Sequence, residues 1–359
     1  MKTLINIDNG EISYYIGENA LKSSEKKLDK FPKLFLLIDE NIDKFCLPVF
    51  KEILPGLKIS GVVKIESGEE NKNINTCIEI WEKLTQLGVD RDSVLINFGG
   101  GVISDIGGFI AATYKRGIKF INIPTTLIGQ IDAAIGGKTG VDFMGFKNQV
   151  GLFIDPEMVV IDPVFLNTLD KVYWQSGFAE LLKYGLIMDI DLWKMIESKR
   201  CSDIDNWNQL IIKAAKDKID IVRYDTREKG IRKILNFGHT IGHAIETFYL
   251  KQNRTITHGQ AIAAGMICES WLSSQRIDLE CHPQGQICDT IDLNFERLDF
   301  TEENIPEILQ LMKQDKKIRE GEFKFSLLRR LGKAIHDVKV EDNLVIKSLK
   351  FYINKSKCN

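Results

Sequence analysis

The chain has 359 residues, 44% hydrophobic and 27% charged, with 48 Lys plus Arg against 50 Asp plus Glu. That length fits two domains, the apolar fraction excludes a disordered chain, and the balanced charge leaves no basic field for nucleic acid or an anionic membrane. The 7 cysteines are scattered without a C-x-x-C pair, which argues against a zinc ribbon or a disulfide framework. The segment 1–8 lacks the apolar core of a signal peptide and no run of about 18 apolar residues follows, so the expectation is a cytoplasmic protein.

Short β-branched runs at 34–38, 94–98, 120–123 and 158–161 predict buried parallel strands. Between them, 74–87 puts Ile74, Cys77, Ile78, Trp81 and Leu84 on one helical face. This strand-helix-strand rhythm predicts a Rossmann-like α/β nucleotide-binding domain over 1–169. From 170 the texture changes to long helical stretches such as 210–224 and 259–276, predicting a mainly α-helical domain over 170–359. The segment 281–300 is the least periodic and reads as an exposed connection.

Four constellations carry chemistry. Gly99, Gly100 and Gly101, followed by Val102 and Asp105, stand at a predicted strand-to-helix turn where backbone N–H groups can approach a pyrophosphate. The spacing is not G-x-G-x-x-G, and a plain tight turn also explains it. Gly136-Gly137-Lys138-Thr139-Gly140, with Asp132 before it and Lys147-Asn148 after, sets a lysine among glycines where an anion can come close; a surface turn is the alternative, since the Walker A spacing fails. If 232–243 is helical, Arg232, Asn236, His239 and His243 form one stripe, and with His258 three of the 5 histidines fall within 20 residues, a density that favours metal over an ordinary core histidine. His282 and His336 lack such company and read as surface residues. Glu180 and Lys183 lie one helical turn apart; such a pair is commonly a solvated one, but the small and apolar neighbours argue for burial. Two histidines and one carboxylate would leave places on a catalytic zinc for substrate hydroxyls.

In this order the segments resemble the 3-dehydroquinate synthase family over about 38–332, most specifically at 136–140 and 235–243. The resemblance implies an NAD-binding α/β domain, a helical metal-binding domain, an active site between them and a homodimer. It implies Glu180, His239 and His258 as ligands of a divalent metal, zinc with cobalt as the alternative. As NAD contacts it implies Asp39, Asn41, Glu69, Lys72, Gly100, Gly101, Val102, Asp105, Thr125, Thr126, Phe165 and Thr168, with Lys138 and Lys147 touching both cofactor and substrate. Asn148 and one of Lys316 and Lys317 join Lys138 at the substrate phosphate, with Arg116 resembling an arginine given by the neighbouring subunit. Lys218 and Arg232 resemble the substrate-carboxylate partners, and Asp132, Lys147, Asn236 and His243 the remaining shell. The implied catalytic set is Lys138, Asp132, His243, Asn236 and Lys183.

The implied activity converts 3-deoxy-D-arabino-heptulosonate 7-phosphate to 3-dehydroquinate and phosphate in the shikimate pathway. Oxidation of a ring hydroxyl, phosphate elimination, re-reduction and an intramolecular aldol closure need a hydride acceptor, a Lewis acid and a site that holds one substrate throughout. Three segments depart from the family pattern. Gln260 replaces the usual Glu of His-Gly-Glu, 169–173 lacks Leu-Pro-x-Arg-Glu, and 141–144 lacks the usual Asn-rich turn and receives no role. A sibling sugar-phosphate cyclase acting on a neutral substrate, an NAD-dependent polyol dehydrogenase and a non-catalytic binding protein are the competing readings.

Overall fold

The computed structural model describes residues 4–8, 12–144, 146–276, 284–314 and 323–354. In chain order the elements are β1 (Leu4–Asp8), β2 (Ser13–Gly17), α1 (Ala20–Leu28), β3 (Leu34–Asp39), α2 (Leu47–Ile53), β4 (Ile59–Ile65), α3 (Ile74–Gln86), β5 (Val94–Gly99), α4 (Gly101–Thr113), β6 (Lys119–Pro124), β7 (Lys138–Phe143), β8 (Phe146–Phe153) and β9 (Met158–Ile161). There follow α5 (Lys171–Ile187), α6 (Ile190–Ile196), α7 (Trp207–Tyr224), α8 (His239–Lys251), α9 (His258–Arg276), α10 (Gln284–Asp292), α11 (Ile305–Gln314), β10 (Phe323–Arg330), β11 (Lys333–Val340) and α12 (Asp342–Ile353). They form two compact units, Met1–Asp170 with Asn206–Ile219, and Lys171–Asp205 with Asp220–Asn359.

The first unit is built on a seven-stranded sheet of order β1-β2-β9-β6-β5-β3-β4, antiparallel only between β1 and β2. Its central strands are apolar on both faces because helices cover both. Leu34, Leu36 and Ile38 of β3 pack with α1 and α2, while Phe35 and Leu37 pack with α3 and α4, the period of two that a strand imposes. Helix α3 begins at Asn73, whose side chain accepts from the N–H groups of Asn75 and Thr76, and buries Cys77, Ile80 and Leu84. Ile78, expected on that face, is 47% exposed: the buried stripe runs through Ile80 instead. A separate hairpin, β7–β8, packs against α4.

The second unit gathers helices around α9, with β10–β11 as its only sheet among the described residues. Helix α9 is buried almost throughout, and its run Ala261, Ala263, Ala264, Gly265 lets α5, α8 and α12 approach closely. Two expectations need correction. The stretch 206–219, placed in the helical half, clusters with the first unit, where Leu210, Ile211, Ala214 and Ala215 are buried. The segment 281–300 is no exposed connection: α10 lies within it and buries Ile287, Cys288 and Ile291, while Phe295 and Phe300 are buried beyond it. Residues 281–283, His282 included, lie outside the described residues.

Candidate active site

In the second unit, Glu180 sits mid-way along α5, within a stretch buried from Ser176 to Ile187. The surrounding apolar residues remove its carboxylate from water entirely, so it must find partners inside. Oε2 is ion-paired with Lys183, itself buried. Oε1 meets His258 Nε2 at 3.1 Å and His239 Nε2 at 3.4 Å. The His239 Nδ1–H donates to the Phe237 carbonyl at 3.1 Å, leaving the lone pair on Nε2 toward Glu180. Burial opposes ionisation of Glu180, but Lys183 and the two histidines outweigh it and hold the carboxyl well below its usual range. Burial, aided by Lys183, pushes His239 down to about 4, so the ring is neutral as a ligand must be. Burial also lowers His258, but Glu180 and Glu246 reverse this and raise it to about 9.

One ligand atom from each of Glu180, His239 and His258 lies within 4.8 Å of the others. Two imidazole nitrogens and a carboxylate oxygen at that spacing suit a tetrahedral divalent metal with a coordination place left over. His243, Glu246 and His258 form a second such group around the same ring.

The expected single helical stripe is not formed. Ile231–Asn236 is a short 3-10 turn, and α8 starts only after Gly238. Gly238 has φ +79°, and a Cβ there would sit 2.6 Å from Met266 Cγ, so the chain must turn here on a glycine. The turn is anchored by fully buried Glu269, which accepts the Gly238 N–H at 2.7 Å and the Ile241 N–H at 3.2 Å. Of the four residues, His239 and His243 alone share the helix, with ring centroids 5.1 Å apart. Arg232 is buried on the preceding turn, its Nη1–H donating to the Thr226 carbonyl at 2.6 Å, and Asn236 donates to Glu228 Oε1 at 2.5 Å.

His258 opens α9 through a capping box. The Thr257 N–H donates to Gln260 Oε1 at 2.8 Å and the Gln260 N–H donates to Thr257 Oγ1 at 3.2 Å. Beside it, the Gly259 N–H donates to Ser176 Oγ at 2.9 Å, and a Cβ on Gly259 would collide with the Ser176 backbone. Only a glycine lets α9 cross α5 this closely, one turn from Glu180.

In the first unit, β5 ends in Gly99 and α4 begins at Gly101, the strand-to-helix turn read from the sequence, with Val102 in the first helical turn. The Thr125 N–H donates to the Gly99 carbonyl at 3.0 Å, and Thr126 Oγ1 accepts the Gly129 N–H at 3.1 Å. Asp39 ends β3 and accepts the Ile42 N–H at 2.9 Å, with Asn41 between them. Lys72, 4% exposed, faces Glu69 at 2.7 Å, Asp105 at 3.4 Å and Asp142 at 3.6 Å; Lys147 lies 3.8 Å from Glu69. Burial lowers the Lys72 ammonium, but these carboxylates outweigh it and push it up, while burial raises Asp105 to about 6 despite Lys72. Lys138 is exposed at the start of β7 and Asn148 lies on β8 with φ 51°. Arg116 is exposed, with φ 70°. Asp132 and Lys218 of α7 form an ion pair.

The Phe165 ring is fully buried and packs edge-on against Phe98 at 5.0 Å. Thr168 Oγ1–H donates to the Phe165 carbonyl at 2.7 Å and lies 3.2 Å from Cys46 Sγ. Lys316 and Lys317 lie outside the described residues. Sequence reasoning missed Asp142, Glu246, Glu269 and the Thr257–Gln260 cap; only the last had a local signal, Thr-x-x-Gln before an apolar run.

A doubly wound α/β unit with a glycine turn, joined to a helical unit bearing a buried Glu/His/His set, defines an α/β enzyme of the metal-dependent class. The sequence models described as 3-dehydroquinate synthase N-terminal and 3-dehydroquinate synthase C-terminal match residues 62–176 and 177–318. The chain belongs to the 3-dehydroquinate synthase family. A curated 3-dehydroquinate synthase of Parabacteroides distasonis is 40% identical over 328 residues, 90% of this chain and 92% of the relative. Among solved structures, 2-epi-5-epi-valiolone synthase from Streptomyces hygroscopicus with NAD⁺ and Zn²⁺ is similar at TM-score 0.85 and 25% identity, covering 98% of this chain and 99% of that one. A 2-deoxy-scyllo-inosose synthase complexed with carbaglucose-6-phosphate, NAD⁺ and Co²⁺ shares the fold at TM-score 0.82 and 24% identity, over 97% and 99%.

Proposed function

We propose that the chain catalyses the 3-dehydroquinate synthase reaction itself, from 3-deoxy-D-arabino-heptulosonate 7-phosphate to 3-dehydroquinate and phosphate, as a cytoplasmic homodimer. The observation that carries the reading is the convergence of Glu180, His239 and His258 on one point beside Lys183. The name shared by the curated relatives supports the acidic substrate. Glu180, His239 and His258 would hold zinc or cobalt, and the Gly99–Gly101 turn with Glu69, Lys72, Asp105 and the Thr125–Thr126 step would hold NAD⁺. When bound, the metal would supply Lewis acidity toward a substrate hydroxyl and NAD⁺ a hydride acceptor.

The chain's own residues bind and orient. Lys138 and Asn148 take the phosphate, with Arg116 reaching it from the second subunit. Charge-assisted contacts of this kind fix the leaving group in one direction. Lys218 and Arg232 take the carboxylate, and the Asp132 ion pair aims the Lys218 ammonium. Lys183 keeps Glu180 ionised, while Asn236 and His243 complete the substrate shell. A neutral sugar phosphate would leave Lys218 and Arg232 without a carboxylate, which disfavours the sibling cyclases.

The test is incubation of metal-loaded protein with one equivalent of NAD⁺ and the heptulosonate phosphate, following phosphate, carbocyclic product and reduced nicotinamide together. Phosphate and product should rise in step over many turnovers while NADH stays at or below the enzyme concentration. NADH growing with product would establish a polyol dehydrogenase. Turnover of a neutral sugar phosphate alone would establish a sibling cyclase.

A further inference from the structure

Asp142 belongs to the segment 141–144 that the family resemblance left without a role. Its N–H donates to the Lys72 carbonyl at 2.8 Å, its Oδ1 accepts the Asn148 N–H at 2.7 Å, and the same oxygen lies 3.6 Å from Lys72 Nζ. A single residue therefore ties the loop bearing Glu69 and Lys72 to the hairpin bearing Asn148.

Two observations indicate that these contacts shape ligand groups. Asn148 has φ 51°, a left-handed backbone that Asn adopts more readily than most residues with a side chain. By taking its N–H, Asp142 fixes the direction in which the Asn148 side chain leaves the strand. Lys72, in turn, already has Glu69 at 2.7 Å and Asp105 at 3.4 Å, and Lys147 lies 3.8 Å from Glu69, so three carboxylates share two ammonium groups. With Asp142 holding part of that charge, Glu69 and Asp105 keep acceptor capacity for ribose or amide groups. Without it, Lys72 and Lys147 draw on those two carboxylates alone.

We propose that Asp142 is a positioning residue that sets Lys72 on the cofactor side and Asn148 on the phosphate side through one carboxylate. The inference rests on the cofactor and phosphate roles proposed above. Asp142→Asn keeps an acceptor for the Asn148 N–H but removes the charge facing Lys72; Asp142→Ala removes both. In the metal-loaded full chain, dissociation constants for NAD⁺, and for inorganic phosphate in the presence of NAD⁺, are measured by titration calorimetry beside the urea midpoint. Asp142→Ala should weaken both constants roughly fivefold or more, whereas Asp142→Asn should bring phosphate back to within about twofold of wild type while NAD⁺ stays weakened. Unchanged constants in Asp142→Ala overturn the proposal. So does an Asp142→Asn protein in which both constants stay weakened together and follow the loss of stability. If wild-type protein binds NAD⁺ and the variants match it, the coupling alone fails; if wild-type protein binds no NAD⁺, the parent reading fails and the inference with it.

Discussion

Replacing Glu269 by Ala tests how the site is built. Its two oxygens accept from Gly238, the residue before α8, and from Ile241, two residues after His239. Both N–H groups belong to the helix start that no intrahelical carbonyl can serve. Glu269 is fully buried, so the two donors have no access to bulk solvent. Leaving two buried donors unmet at about 1–3 kcal/mol each gives a loss of roughly 2–6 kcal/mol. The lost anion at the positive end of α8 adds about 0.3–1 kcal/mol. Against a typical stability of about 5–15 kcal/mol this is a large share of the whole. His239 is the first residue of α8, so metal affinity should also fall, by roughly 10–100-fold as for other supports of metal ligands. Urea unfolding of apo protein and zinc competition with a chelating dye measure the two effects. Glu269→Gln, with one acceptor kept, should fall between. A Glu269→Ala protein whose urea midpoint and zinc affinity both equal those of wild type would refute the reasoning.

His239→Ala should fold and lose its metal, as metal content after gel filtration will reveal; full occupancy would remove His239 from the ligand set. Lys138→Ala should lower kcat/KM for the phosphorylated substrate at least about tenfold, a larger effect than on NAD⁺ affinity, and a weakened NAD⁺ with unchanged substrate kinetics would move Lys138 to the cofactor. Burial raises Asp105 from 3.8 to about 6 despite Lys72, so the folded chain holds that proton more tightly than the unfolded one and stability falls as pH climbs through this interval. Asp105→Asn should therefore be more stable than wild type by roughly 2–3 kcal/mol at about pH 8, with the advantage gone below about pH 4. A variant less stable than wild type in urea at the higher pH would show that the Lys72 pairing outweighs burial.

The α/β class was legible because β3, β5, β6 and β9 are short, mostly apolar runs, interrupted inside only by Asn97 and Asn122, a signal that needs no knowledge of partners. Helix α3 likewise announces itself through a cap at Asn73 and a period of three to four. What failed depended on the backbone or on distance. The run 232–243 has helical spacing throughout, yet the left-handed Gly238 breaks it, and a glycine inside a helical pattern does not declare its φ. Helix α10 has an apolar stripe of Ile287, Cys288 and Ile291, too short to stand out in its polar surroundings. Asp142 and Glu269 are separated by 70 and 31 residues from Lys72 and Gly238, and no local pattern carries such pairings. Glu180 lay in between: its small and apolar neighbours signalled burial, but only packing brings it to His239 and His258.

Gln260, where the family pattern has Glu, still holds the start of α9 in place. Each metal-set donor comes from a different helix, Glu180 from α5, His239 from α8 and His258 from α9, so the set survives only if the helices keep their starting points. For α9 that point is fixed by the Gly259 contact with Ser176 and by the reciprocal bonds between Thr257 and Gln260. A capping box asks its third helical residue for an acceptor, and Gln supplies one as Glu does. The charge removed is a favourable one at a helix N-terminus, worth about 0.3–1 kcal/mol. The substitution therefore trims stability at the start of α9 and leaves the His258 ring where the Glu180 carboxylate needs it.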